Sequence, residues 1–204
     1  MDRYFPYGET ETAYLAGRDK RLAEAIDRIG PLERRVNPDL FAALVEAILG
    51  QQISTAAART VRARLLAKAG AFTPEALIAC PPEELQSCGI SFRKAGYLRS
   101  AAQAVRSGAL DIPALANLTD EQVIEALTRL PGIGRWTGEM LLIFSLMRPN
   151  VVSYGDLGIR RGMMRLYRHK ELPRERFQRY CRRYAPYGST ASLYLWAIAG
   201  QDDW

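Results

Sequence analysis

The sequence predicts an all-α protein. Apolar residues recur at helical spacing along almost every segment, and capping residues and glycines punctuate those runs at helix-sized intervals. The one continuous apolar stretch has no strand partner elsewhere in the chain. Its 204 residues suffice for one domain or for two small ones. There is no internal repeat, low-complexity tract or flexible linker, so any two domains must interleave.

Each element follows from the same reading. Leu22, Ile26 and Ile29 mark one buried helix face, and Phe41, Leu44, Val45, Ile48 and Leu49 mark a second, which Gly50 is expected to stop. Ser54 caps a helix that turns Val61, Leu65 and Leu66 inward and ends at Gly70. Thr73-Pro74-Glu75 opens another, with proline at the first helical position. Ser91 starts a helix through Leu98, Ala101 and Val105, and Thr119 with Gln122 forms a capping box before Val123, Leu127 and Leu130. The run Met140 to Met147 fits strand or helix on periodicity alone; lacking a strand partner, it is read as a buried helix. Further helices are expected over 158–168 and 175–184, and a last one over 193–199.

Composition excludes several chemistries. No apolar run reaches the roughly 20 residues of a membrane span, and the N-terminus lacks signal-peptide regions, so the reading is a soluble, cytoplasmic protein. Three cysteines (Cys80, Cys88, Cys181) without a Cys-x-x-Cys spacing suggest neither a disulfide framework nor a zinc or iron–sulfur site; they read as buried small hydrophobes. One histidine, His169, removes most His-dependent catalysis. The net charge is +6, yet residues 159–183 alone hold ten basic side chains against Glu171 and Glu175. An excess so one-sided suggests a polyanion, nucleic acid first.

Leu130-Pro131-Gly132-Ile133-Gly134 lies between two helical segments. Two glycines around one apolar residue make a tight hairpin, and the free amides of the next helix would suit a phosphate oxygen, although an ordinary helix–helix turn has the same spacing. Asp156 precedes the helix from Leu157 and reads as its N-cap.

Leu-Pro-Gly-Ile-Gly-Arg-Trp-Thr-Gly at 130–138, followed by Val-Val-Ser-Tyr-Gly-Asp at 151–156, closely resembles the hairpin and aspartate of helix-hairpin-helix (HhH-GPD) DNA glycosylases. Ala47 to Ser54 upstream, Tyr184-Ala185-Pro186-Tyr187 downstream, and Trp196 ten residues after the proline resemble the 3-methyladenine DNA glycosylase II branch. The resemblance implies two interleaved helical subdomains, 41–149 with the helix-hairpin-helix at 130–139, and 1–40 plus 150–204 with the aspartate loop, and a DNA-binding cleft between them. It also implies that the N-terminal mixed domain of longer members is absent.

The same resemblance assigns roles. Asp156 becomes the catalytic carboxylate, a role compatible with capping. Trp136, Trp196, Tyr187 and Met140 become base-pocket residues, although Trp196 fits core packing equally well. Gln52, Ser54, Gly132, Gly134 and Thr137 become DNA contacts. Gln52 stands at the wedge position, where bacterial relatives often carry an apolar residue, and on its own reads as a solvent-exposed loop glutamine. Met140 replaces an aromatic, which implies a roomier pocket. Position 136 holds tryptophan where strand-nicking members carry a Schiff-base lysine, so base removal without strand cleavage is expected. The implied partner is double-stranded DNA with alkylated bases, bound by a monomer without cofactor. A monovalent cation bridging hairpin carbonyls and a phosphate is implied as well. A non-catalytic DNA-binding protein and a bifunctional glycosylase/lyase with an iron–sulfur cluster are the rival readings. Asp156 and the pocket aromatics disfavour the first, and the absence of a lysine at 136 and of clustered cysteines disfavours the second.

Overall fold

The computed structural model describes residues 3–201. It is all-α apart from one two-residue antiparallel pair, β1 (Arg3–Tyr4) with β2 (Arg35–Val36), in which Arg3 faces Val36. The chain divides into two compact units, 1–36 with 142–204 and 37–141.

The 37–141 unit begins with α3 (Leu40–Gly50), whose Leu44, Val45, Ile48 and Leu49 are buried. Gly50 is still helical; the helix ends one residue later, where Gln51 turns to ψ 129°. Next come α4 (Thr55–Ala69), α5 (Pro74–Ala79), α6 (Pro82–Ser87), α7 (Phe92–Arg106), a 3-10 turn (Pro113–Asn117) and α8 (Asp120–Thr128). Ser54, Thr73, Ser91 and Thr119 all cap as expected, each side chain accepting from the amide three residues on. Leu66 departs from expectation. It is 37% exposed, because Leu65 alone of that pair turns inward.

α9 (Arg135–Phe144) carries the apolar run across the boundary between units and stops before Ser145. Met147 takes a φ of +53°, and the Arg148 amide turns back to the Leu142 carbonyl at 2.9 Å.

The other unit holds α1 (Glu9–Arg18), α2 (Lys20–Ile29), α10 (Leu157–Tyr167), α11 (Arg174–Tyr184) and α12 (Gly188–Ala199). Its core joins Leu15, Leu22 and Ala25 to Ile159, Met163, Phe177, Tyr184, Leu195 and Ile198. α10 and α12 meet backbone to side: a Cβ on Gly162 would lie 1.9 Å from the Leu195 carbonyl oxygen, so only glycine permits this approach. α12 begins five residues earlier than its apolar pattern suggests, since Ser189, Thr190 and Ser192 are buried there as polar helix residues. Cys80 and Cys88 are buried, while Cys181 is only half-buried; all three are free thiols. Burial pushes the Cys181 thiol up to about 12.

Candidate active site and nucleic-acid contacts

In the 37–141 unit, the hairpin at 130–134 is anchored by Leu130 and Ile133, both buried. Its two glycines serve different ends. Gly132 has a φ of +83°, and a Cβ there would meet the Tyr97 ring at 2.3 Å, so packing and backbone geometry both demand glycine. Gly134 has open space where its side chain would be, which leaves the backbone at the start of α9 approachable from outside.

The turn between α3 and α4 is tied to this hairpin. Gln51 donates its amide to the Gly132 carbonyl at 2.8 Å, and Lys94 donates to the carbonyls of Leu49 and Gln51 at 2.8 and 2.6 Å. Burial, with a smaller push from Arg93, lowers the Lys94 pKa. Next along, Gln52 is exposed and adopts a φ of +57°, a region that glutamine rarely enters and that a surrounding constraint must hold. Ser54 caps α4, whose first turn carries no acid; neither does that of α9. With α7, whose first turn also lacks an acid, three helix N-termini in this unit thus keep their positive dipole ends uncompensated.

Along α9, Trp136 is 49% exposed and Met140 half-buried, one turn apart on the same helix face. Thr137, by contrast, is 7% exposed and lies on the buried side. Arg135 is locked by a two-pronged contact with Glu121 at 2.7 and 2.8 Å and by Glu139 at 3.1 Å. These carboxylates hold its guanidinium charged.

The Leu130 and Gly132 carbonyls each accept one hydrogen bond, from the Ile133 amide and from Gln51.

In the other unit, Asp156 is 8% exposed and caps α10, its Oδ1 accepting from the Ile159 amide at 2.9 Å. The same oxygen accepts from the Trp196 indole N–H at 2.9 Å. The cap reading of the sequence therefore holds, and a second donor 40 residues away fixes the carboxylate's rotamer. Gly158 makes room for this: a Cβ there would lie 2.7 Å from Trp196 Cδ1. The loop before Asp156 is sewn to the start of α12. Ser189 accepts from the Val151 amide at 2.9 Å and donates to the Arg148 carbonyl, and Ser192 donates to the Val151 carbonyl at 2.9 Å.

Trp196 has two further neighbours that the sequence did not signal. Phe144 lies 5.4 Å away, tilted by 31°, and the Arg34 guanidinium sits 5.8 Å from the indole centroid. A small cavity of about 110 Å³ opens beside them, lined by Leu32, Glu33, Arg34, Leu193, Trp196 and Ala197. Tyr187 is placed elsewhere. It packs edge-on to Tyr14 at 5.2 Å, nine residues before Trp196, a rise of roughly 13 Å along α12. Tyr154 turns to Phe177, with the guanidiniums of Arg160 and Arg174 at 5.3 and 5.4 Å from its ring.

The basic run is only partly turned outward. Arg165 donates to the last carbonyls of α12, Ile198 and Ala199, and to that of Gln201 just beyond it, Arg183 binds Asp19 at 2.6 Å, and Arg176 reaches the Glu171 carbonyl. Arg161, Arg168, Lys170, Arg179 and Arg182 remain exposed. Among the described residues, no group of three or more His, Cys, Asp or Glu side chains could hold a metal ion, and no helix is long and apolar enough to cross a membrane.

Residues 45–186 match the family model described as HhH-GPD superfamily base excision DNA repair protein. DNA-3-methyladenine glycosylase 1 of Schizosaccharomyces pombe is 35% identical over 199 residues, covering 94% of this chain and 87% of its own. Among solved structures, a DNA-3-methyladenine glycosidase from Bacillus halodurans superposes with a TM-score of 0.88 at 37% identity, covering 98% of this chain and 93% of its own. A Schizosaccharomyces pombe 3-methyladenine DNA glycosylase in complex with abasic DNA gives 0.81 at 32%, covering 96% and 98%.

Proposed function

Because the chain belongs to the HhH-GPD superfamily of base excision DNA repair proteins, we propose that it is a monofunctional DNA glycosylase. It hydrolyses the N-glycosidic bond of alkylated bases of the 3-methyladenine and 7-methylguanine type in duplex DNA, leaving an abasic site. The observation that carries the reading is the Asp156 carboxylate, buried and held by two N–H donors on one oxygen. Bond cleavage builds positive charge on the sugar, and a carboxylate that need not reorganise stabilises that charge as it forms. The same carboxylate orients the attacking water.

An alkylated purine is a cation and already a good leaving group. Trp136 in the 37–141 unit and Trp196 in the other are each an electron-rich face of the kind that attracts such a cation by roughly 0.5–2 kcal/mol. Position 136 offers no amine for a Schiff base, so the sugar–phosphate backbone stays intact after base loss. The hairpin and the starts of α4 and α9 hold phosphates through backbone amides, Gly134 and Ser54 foremost. Gln52, exposed and held at positive φ, fills the space that the flipped nucleotide leaves. The protein acts as a monomer.

Asp156→Asn provides the test, because asparagine caps a helix as well as aspartate does and its amide oxygen can accept the two bonds that Oδ1 accepts, while the negative charge is removed. On methylated duplex the native chain is expected to release 3-methyladenine, and the variant to do so roughly 10² to 10³ times more slowly. Binding to an abasic-site mimic should persist in both, with no strand nicking. If neither protein releases a base from a panel of lesions while both bind DNA, the chain is a binding protein and the enzymatic reading falls.

A further inference from the structure

At the opposite end of α10 from Asp156, roughly 16 Å along the helix axis, lies a cavity of about 560 Å³ that the glycosylase chemistry does not use. We infer that this cavity is a phosphate-binding site. Arg18, Lys20 and Arg21, at the junction of α1 and α2, line it together with Arg183 from α11. Asp19 is the one carboxylate among its lining residues, and its charge is already spent. Oδ1 accepts from the Leu22 amide, while Oδ2 accepts from the Tyr167 hydroxyl and from Arg183, both at 2.6 Å. With the Asp19–Arg183 pair cancelled, three cations face one concavity with no acid among the lining residues to answer them.

Two of these cations are held in place before any ligand arrives. Arg21 donates to the Leu166 carbonyl at 3.2 Å, and the Arg18 guanidinium lies 5.8 Å from the Tyr14 ring centroid. The remaining wall is hydrogen-bonding aromatic surface: Tyr180 stacks on Tyr167 at 3.9 Å and shares a 2.8 Å hydrogen bond with His169 Nε2. His169 registers the field. Burial first, then Arg176 and Arg21, make it harder to protonate than an ordinary imidazole. Three uncompensated cations around one concavity suit a phosphate dianion better than a carboxylate, since its oxygens accept from several directions at once.

His169 is the chain's only histidine, so its ring resonances report on the cavity without overlap. The experiment follows the His169 titration by NMR at fixed ionic strength in three arms: chloride alone, inorganic phosphate, and undamaged duplex DNA. A bound dianion offsets the guanidinium field, so the His169 midpoint should rise by about 0.5 or more in pH. The Arg18→Gln, Lys20→Gln double variant changes two exposed side chains and should lose most of that rise. A response to phosphate marks a small phosphorylated ligand, and a response to duplex alone marks a DNA-backbone phosphate; either supports the site. No movement in both arms, or an undiminished rise in the double variant, overturns it.

Discussion

Arg34 is the side chain whose effect on the proposed chemistry is least expected from its type. Its guanidinium stands over the indole of Trp196, the ring whose N–H fixes Asp156. A cationic base seeking that aromatic face competes with a cation already there, whereas a neutral lesion does not. Removing Arg34 should therefore favour charged substrates selectively. For Arg34→Ala the ratio of 7-methylguanine to hypoxanthine release, measured under single-turnover conditions, is expected to rise about tenfold, the equivalent of roughly 1.4 kcal/mol of cation–π attraction restored to the base. An unchanged ratio would mean that neither base stacks where Arg34 now lies. None of this was legible in the sequence, because Arg34 and Trp196 are 162 residues apart and a loop arginine with two charged residues beside it carries no pattern that points to an indole.

Among elements, what the sequence made legible was local chemistry. Ser54, Thr73, Ser91 and Thr119 bond to amides three residues away, so the caps needed no knowledge of the rest of the fold. The helix α1 escaped notice because only Leu15 on it is buried, too little to produce a periodic signal. The start of α12 was misplaced for the opposite reason: its buried residues Ser189, Thr190 and Ser192 are polar, and Ser189 and Ser192 bond to a loop some 40 residues away. Close approach of helices is equally invisible, since Gly162 looks like any mid-helix glycine that costs propensity. Here the glycine is obligatory. Gly162→Ala drives a methyl into the Leu195 carbonyl, backbone that cannot swing aside, and is expected to cost about 2–4 kcal/mol in urea unfolding. Gly50→Ala, with nothing within 4 Å of the added carbon, should be neutral or mildly stabilising in the same experiment.

Across the whole molecule, charge is divided between structure and function more evenly than the basic run suggested. Arg165 and Arg183 are spent on carbonyls and on Asp19, and a buried hydrogen-bond network joins Asp19 to Tyr167 and Tyr184 in the unit formed by 1–36 and 142–204. Burial, reinforced by neighbouring hydroxyls and Asp19, raises the pKa of Tyr167 far above any working pH, so it stays a neutral phenol that donates to Asp19 and accepts from Tyr184. His169 behaves differently. Its folded pKa lies below the ordinary 6.5, so the unfolded chain takes up the proton first as pH falls. Stability is therefore unaffected by this group above pH 6.5 and is lost as pH drops below it, until the folded state protonates too. His169→Gln cannot titrate and should lack that loss. Thermal unfolding of the two proteins is expected to run parallel from pH 8 to 7 and to diverge below 6.5, the native chain falling faster. Inorganic phosphate should narrow the gap, because an anion beside Arg21 offsets the part of the depression that this guanidinium adds to burial and Arg176. Parallel curves down to pH 5 would show instead that solvent screens His169 from these guanidiniums, and that the depressed midpoint has no consequence for folding.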